Sequence, residues 1–241
     1  MAWQPIFNRI PFALAALCGA IVLAFLGEQL LSPDALNALV YRVGIVPAHW
    51  VEGWEIGDWS PILLSLPGHV FVHGGWLHLI FNLVLLVSVG KPLSLRLEQG
   101  PHASLRFLAV FFGSALFAAL AYVAINHASQ IPAIGASGAA CGIYSAYLMA
   151  VHPDWRQSLR NPIILQNAGM FLFVNVGLAY LAARFDVLPI AWEAHLGGFI
   201  GGLVIYPLIA SRPAQVASSY VPLKTVSRKR ASVPSRRWRF E

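Results

Sequence analysis

The stretch Ile134-Gly135-Ala136-Ser137-Gly138-Ala139-Ala140-Cys141-Gly142 places a serine between small residues at the head of an apolar run. No charged residue lies between Asn126 and Asp154, so this serine falls in a segment typical of a membrane span. On these residues alone the simpler interpretation is structural, with the hydroxyl bonded to its own helix. The alternative is a nucleophile, because small neighbours leave Ser137 accessible and the N–H groups of a helix start can hold an oxyanion.

The composition of the 241-residue chain is that of an integral membrane protein. The chain is 58% hydrophobic and 11% charged, with a mean hydropathy of +0.66, whereas a soluble domain carries about a quarter charged residues. Six charge-poor runs each approach the roughly 20 residues that cross a bilayer as a helix. The sequence therefore predicts an all-α polytopic membrane protein with six spanning helices, at roughly 11–31, 70–90, 107–125, 131–151, 163–182 and 192–210.

The distribution of basic residues predicts the orientation. Six spans place both termini on one side of the membrane, and 14 of the 16 lysines and arginines fall on that side, all but Arg42 and Arg184. Because cytoplasmic segments carry the excess of positive charge, we expect both termini to be cytoplasmic, in a bacterial inner (plasma) membrane. The first run follows Arg9 as a signal peptide would. No small-x-small cleavage site follows that run, so we expect it to stay uncleaved.

The predicted organisation has three parts. A short cytoplasmic N-terminus (1–10) precedes the helical core (11–210), and a basic tail (211–241) follows it. The tail mixes Ser, Pro, Val and Arg without an apolar period, so we expect it to be disordered and to lie against anionic lipid headgroups. We expect no nucleic-acid partner. Cys18 and Cys141 fall in different spans and imply no disulfide framework.

The segment 32–69, between the first and second spans, is too long for a simple turn. It holds Trp50, Trp54 and Trp59 among four acidic residues and several apolar patches. Tryptophan at this density is typical of a segment that lies in the membrane interface. An ordinary folded outer loop fits the same residues equally well.

The second span opens with an unusual set of polar side chains. His69 and His73 are four residues apart, as are His78 and Asn82, and on a helix each pair shares a face. Such groups are costly in a bilayer unless they face protein or water. Zinc would need a further ligand and a second shell, and no cysteine or carboxylate is near in sequence. We therefore expect no metal and no other cofactor.

The last two spans also carry distinctive residues. The fifth contains three polar amides that we interpret as interhelical hydrogen-bonding groups, namely Gln166, Asn167 and Asn175. The sixth begins Trp192-Glu193-Ala194-His195 and continues with four glycines, which allow another backbone to approach closely. We expect Gly198, three residues after His195, to face the helix of Ser137. Gly197 lies about 100° around the helix, so we expect a larger side chain there to be less damaging than one at Gly198.

Depth in the membrane brings these residues together. With cytoplasmic termini, the second, fourth and sixth spans run from outside to inside, and their polar residues fall in the outer halves. Ser137 to Val151 covers about 21 Å, less than the roughly 30 Å hydrocarbon core, so the serine starts below the outer surface. Ser137 and His195 then form a nucleophile and its base, while His78 and Asn82 are candidate oxyanion donors. This convergence outweighs the structural interpretation of the serine.

At these residues the chain resembles the rhomboid intramembrane serine proteases, over roughly residues 55–210. A GxSG motif alone recurs in unrelated hydrolases, but here three motifs fall in the family's order on three matching spans. They are Gly135-x-Ser137-Gly138, His78-x-x-x-Asn82 and Ala194-His195-x-x-Gly198-x-x-x-Gly202.

The resemblance implies a six-helix core with a Ser–His dyad and no acidic third member. Ser137 would attack a peptide carbonyl, and His195 would take its proton and return it to the leaving amine. His78, Asn82 and the Ser137 backbone N–H would hold the oxyanion. Gly198 would let the sixth helix pack close to the fourth. Substrates would be single-span membrane proteins, cut near the outer edge of their helix at small residues.

Three positions depart from the family's pattern. Ser60 stands where an arginine often follows the tryptophan, and the segment Gly90-Lys91-Pro92-Leu93-Ser94 lacks a common glutamate, the nearest being Glu98. Cys141 occupies a position that is often aromatic and stacks on the catalytic histidine. The alternative function is therefore a non-catalytic rhomboid-like protein that binds client transmembrane helices. A haem or ion-conducting bundle would instead need histidine pairs that face one another across helices.

Overall fold

The computed structural model describes residues 10–97, 102–152, 154–185 and 190–210. All ten regular elements within these ranges are helices. They are α1 (Phe12–Glu28), α2 (Pro33–Val43), α3 (Pro47–Ile56), α4 (Ser60–Gly68), α5 (Trp76–Leu97), α6 (Ala103–Ile125), α7 (Ser137–Met149), α8 (Trp155–Ser158), α9 (Pro162–Arg184) and α10 (Trp192–Ile209). The expectations for the basic tail, and for the N-terminus apart from Ile10, lie outside the described residues.

Each of the six apolar runs contains a helix, and the predicted all-α polytopic class is confirmed. Among the described residues, α5, α6, α9 and α10 are long and apolar enough to cross a membrane. Helix α1 has 17 residues and α7 only 13. At 1.5 Å per residue, α7 rises about 20 Å. The first part of its predicted run, 131–136, is not helical, because Pro132 lacks an N–H and Gly135 has a φ of 102°.

The start and end of the second span differ from the prediction. Helix α5 begins at Trp76, after a turn in which Gly75 has a φ of 132°. His69 and His73 precede it in a connecting segment, so the expectation that they share a helix face was wrong. At its other end α5 continues through Pro92 to Leu97, because the apolar side chains of its last turns are buried against α1 and α6.

The core is built around α7. Ten of its 13 residues are buried, and α5, α6 and α10 all pack against it. Helix α1 packs against α5 and α6 at the periphery of the bundle, and its side chains Leu14, Ile21 and Phe25 are fully buried. The short helix α7 is therefore surrounded by protein. Helix α9 lies at the other extreme among the candidate spans: 11% of its most apolar stretch is buried within the protein, compared with 33–39% for α5, α6 and α10.

Helices α7 and α10 touch through their backbones. A Cβ on Gly198 would overlap the carbonyl of Gly138, and one on Gly202 would overlap the carbonyl of Gly142. Across the same contact, the Ser145 hydroxyl donates to the Phe199 carbonyl at 2.6 Å. The separation of the two helices is therefore set by main-chain atoms.

Gly197 is also tightly packed, against a second neighbour. A Cβ there would lie 2.5 Å from the Phe117 carbonyl oxygen of α6 and would overlap the Ala121 methyl. Both glycines are tightly packed because α10 is contacted on two sides, by α7 through Gly198 and by α6 through Gly197. A helical rotation of about 100° moves a side chain from one neighbour to the other and not into open space.

The segment 32–69 folds as α2, α3 and α4. The Trp50 indole N–H donates to the Ser65 hydroxyl at 2.8 Å, which fixes α3 on α4. Trp54 and Trp59 are exposed and pack edge to face at 4.9 Å. Ile45 exchanges two 2.9 Å backbone hydrogen bonds with Ala133, so this segment also holds the chain that leads into α7.

Gly198→Ala should destabilise the protein, because its new methyl overlaps main-chain atoms that no side-chain rotation can move. We expect a loss of about 1–3 kcal/mol in the free energy of unfolding, measured as a lower thermal unfolding temperature in one detergent. Gly169→Ala on α9 is the matched control, since nothing lies within 4 Å of a Cβ there. Equal stability of the two variants would contradict the backbone contact between α7 and α10.

Candidate active site

Ser137 is the first residue of α7 and follows a sharp turn. Gly135 adopts the positive φ that carries the chain from the extended segment into the helix. Its N–H donates to the His69 carbonyl at 2.8 Å, which ties this turn to the segment before α5. Ser137 thus stands at a helix N-terminus, where unsatisfied N–H groups and the helix dipole favour a negative charge.

His195 lies in the first turn of α10 and reaches the serine directly. Its Nε2 is 2.8 Å from Ser137 Oγ. The approach is possible because α7 and α10 carry small residues at this level, where a Cβ on Gly138 would lie 3.2 Å from the Ala194 carbonyl oxygen. The distance allows the serine hydroxyl to donate to Nε2, which is the geometry of a nucleophile and its base.

The other ring nitrogen of His195 has a partner that the sequence did not identify. Nδ1 is 2.7 Å from Oδ1 of Asn175 on α9. The sequence predicted that Asn175 forms an interhelical hydrogen bond but did not identify its partner. Gln166 and Asn167, marked in the same way, are exposed. The signal that distinguishes Asn175 is its position in the middle of a span.

His78 and Asn82 stand one turn apart on α5, beside the turn before Ser137. The Asn82 amide donates to the His78 carbonyl at 2.8 Å, and its buried Oδ1 has no partner within the described structure. His78 Nδ1 accepts from the Gly74 N–H at 3.1 Å, so the neutral ring carries its proton on Nε2. A Cβ on Gly135 would lie 2.7 Å from that Nε2. His78 therefore presents an N–H donor to the turn at Gly135, which precedes Ser137 by two residues in the sequence.

The segment 69–75, which precedes α5, is anchored to α1. The backbone N–H of His73 lies 3.3 Å from both carboxylate oxygens of Glu28 at the end of α1. The His73 and His78 rings are 5.2 Å apart. Within the described residues, no group of three or more His, Cys, Asp or Glu side chains is placed to hold a metal ion.

Two of the three positions that depart from the family pattern have clear structural partners. Cys141 is buried with Leu148, Ile164 and Phe199, on the side of α7 that faces α9 and α10. Ser60 starts α4, and its N–H donates to the Asp58 carboxylate at 2.9 Å. Ser94 is buried in α5, and Glu98 lies outside the described residues.

A comparison with known proteins places these residues in a family context. A family model described as Rhomboid domain matches residues 60–212, which contain all the candidate site residues. RHOMBOID-like protein 5 of Arabidopsis thaliana is 28% identical over 155 residues, which are 64% of this chain and 47% of that protein. Rhomboid protease GluP of Bacillus subtilis (strain 168) is 28% identical over 146 residues, which are 61% of this chain and 25% of that protein.

A further relative carries a different description. Inactive rhomboid-related protein 2 of Caenorhabditis elegans is 25% identical over 198 residues, which are 76% of this chain and 53% of that protein. The chain thus spans between a quarter and about half of the length of these three relatives. The names of these relatives include both a protease and an inactive protein.

Acidification should destabilise the fold through His69. This side chain is buried, its Nδ1–H donates to the Ser65 carbonyl at 2.7 Å, and burial lowers its pKa to about 4. The unfolded chain therefore binds a proton near pH 6.5 that the folded chain does not bind until about pH 4. We expect the free energy of unfolding to fall by up to about 3 kcal/mol between these pH values.

Thermal unfolding measured from pH 7 to pH 4 tests this expectation. His69→Asn keeps an N–H donor near the Nδ1 position but cannot be protonated, so its loss of stability with acidification should be shallower than that of the parent chain. Parallel pH profiles for the two proteins would show that His69 is not the group responsible.

Proposed function

Because the chain belongs to the rhomboid family, we propose that it is an intramembrane serine endopeptidase that cleaves transmembrane proteins near the outer face of the membrane. The observation that carries the proposal is the 2.8 Å approach of His195 Nε2 to Ser137 Oγ at the N-terminus of a buried helix. A serine that only capped its helix would not need a histidine from another helix as its partner.

The proposed reaction has two halves. Ser137 Oγ attacks the peptide carbonyl as His195 Nε2 takes its proton, and the imidazolium then gives that proton to the leaving amine. Water next attacks the acyl-enzyme, and the same nitrogen carries its proton back to Ser137. The negative oxygen of each tetrahedral intermediate would be held by the Ser137 N–H, the His78 Nε2–H and the second Nδ2–H of Asn82, the one not bonded to the His78 carbonyl.

The orientation in the membrane is part of the proposal. The chain is an integral multi-pass protein of a family that acts on transmembrane substrates in the bilayer. We propose cytoplasmic termini and a bacterial inner membrane, which would put Ser137 several ångströms below the outer surface. The exposed pair Trp54 and Trp59 would then lie in the outer interface with α2–α4. The substrates would be single-span proteins with small residues at the cleavage site.

A non-catalytic role is the second candidate. It is favoured by the similarity to a protein named inactive, and it would use the same bundle to bind client helices. The protease is preferred because a binding role does not require a serine and a histidine within hydrogen-bonding distance. A fluorophosphonate probe, which reacts only with an activated serine, separates the two functions.

Ser137→Ala and His195→Ala should each abolish cleavage of a transmembrane substrate and labelling by the probe, because each removes one member of the dyad. His127→Ala is the control, since this histidine is exposed in the loop after α6. Cleavage is followed in the same detergent, with thermal unfolding as the check of folding. A parent chain that is folded but not labelled would favour the client-binding function.

Loss of the candidate oxyanion donors should lower the rate without abolishing it. We expect Asn82→Ala and His78→Ala each to reduce kcat by about 10²–10³ with a smaller change in KM. The donor is needed when charge develops on the oxygen, and the Ser137 N–H remains in each variant. Initial rates over a range of substrate concentrations measure both constants. A double variant that cleaves at the parental rate would show that neither side chain holds the oxyanion.

A further inference from the structure

We propose that Asn175 is a positioning residue that keeps the His195 imidazole protonated on Nδ1, so that Nε2 stays free to take the proton of Ser137. The inference rests on the proposed function, since it assigns a role in preparing that general base. It adds a third side chain, contributed by α9, to a site expected to be a dyad.

The orientation of the Asn175 amide is fixed by its own helix. Its Nδ2 donates to the Phe171 carbonyl, four residues earlier, at 3.1 Å. Because the nitrogen end is committed to that carbonyl, the oxygen end faces His195, with Oδ1 at 2.7 Å from Nδ1. A carbonyl oxygen can only accept, so the atom facing it must carry a hydrogen.

This contact selects one tautomer of the neutral ring. A neutral imidazole has a single N–H, and a proton held on Nδ1 leaves Nε2 with its lone pair. That lone pair is 2.8 Å from Ser137 Oγ. The other tautomer would set two lone pairs against each other at Asn175 and would turn an N–H toward the serine, where an acceptor is required.

An amide also differs from a carboxylate in this position. A carboxylate would stabilise the charged imidazolium and raise the pKa of the histidine, whereas a neutral amide orients the ring without adding charge. Papain-like proteases use an asparagine in the same relation to their histidine. Asn175 thus favours a base that is neutral at rest.

The titratable side chains on the helices around His195 come from several elements. On α5, His78 is the titratable side chain that interacts with His195. On α10 itself, the Glu193 carboxylate accepts from the Asn126 amide at 3.2 Å and lies near Tyr122 of α6. Cys141 is the buried thiol of α7. These groups stay the same in variants of Asn175, so a change in the pH profile reports on Asn175.

The kinetic test compares three variants of the full chain. Asn175→Leu removes the acceptor at similar volume, Asn175→Asp keeps an acceptor but adds charge, and Asn167→Leu makes the first change at an exposed site on the same helix. We expect Asn175→Leu to lower kcat roughly 10-fold or more with KM unchanged. We expect Asn175→Asp to move the acidic limb of the kcat/KM profile about one pH unit upward or more. Asn167→Leu should match the parent chain.

A role limited to packing would lower stability but leave the pH profile in place. A parental kcat for Asn175→Leu, or an unmoved acidic limb for Asn175→Asp, would therefore overturn the inference. If Asn175→Leu unfolds, the pH profile of the Asp variant alone decides, since it preserves the shape of the side chain.

The tautomer can be observed without catalysis. In Ser137→Ala, labelled with ¹⁵N-histidine in micelles, the ¹⁵N shifts of the His195 ring should show the proton on Nδ1. Adding Asn175→Leu should shift them toward a mixture of tautomers. A proton on Nε2 in Ser137→Ala, or shifts that do not respond to Asn175→Leu, would refute the inference. Because this variant lacks the serine, the result stands whether or not the parent chain proves to be a protease.

Discussion

The contact on which the rest of the structure depends is the meeting of two backbones, α7 and α10, at Gly138 with Gly198 and at Gly142 with Gly202. Apolar side chains give little preference for one helix partner over another in lipid, so close van der Waals packing and interhelical hydrogen bonds must supply it. Glycines provide the first, and the bond from Ser145 to Phe199 provides the second. Because main-chain atoms set this distance, the serine and the histidine are held together by parts that cannot change rotamer.

A second contact, made by α5, explains how a helix of 13 residues can end inside the bundle. Its last carbonyls have no partner in their own helix, and a bilayer core offers none. The Arg96 guanidinium, near the end of α5, donates to the carbonyls of Ala150 and Val151 and lies over the Tyr147 ring. The continuation of α5 past Gly90 thus has a clear role, because it carries this arginine to the end of α7.

Much of this arrangement could be predicted from the sequence. Charge-poor runs identify the spans, and the spacing of Ser137, His195 and the glycines identifies the helices that must meet. The start of α5 was missed because the apolar residues around His69 and His73 resemble a span, and only tertiary contacts show them in a connecting segment. The partner of Asn175 and the tight fit of Gly197 were missed because both depend on which neighbour each helix face meets. Periodicity along one helix does not contain that information.

Helix α9 contacts Nδ1 of His195 through Asn175. Among the candidate spans of the described residues, however, α9 has the smallest share buried against the rest of the protein. In a bilayer, most of the surface of this helix would therefore face lipid chains. If Asn175 orients the base as inferred, the surrounding lipid or detergent becomes a component of the active site. A micelle that lets α9 tilt would weaken the contact between Asn175 and His195, as a mild substitution of Asn175 would. The choice of amphiphile would then be a reaction condition in the same sense as pH and temperature.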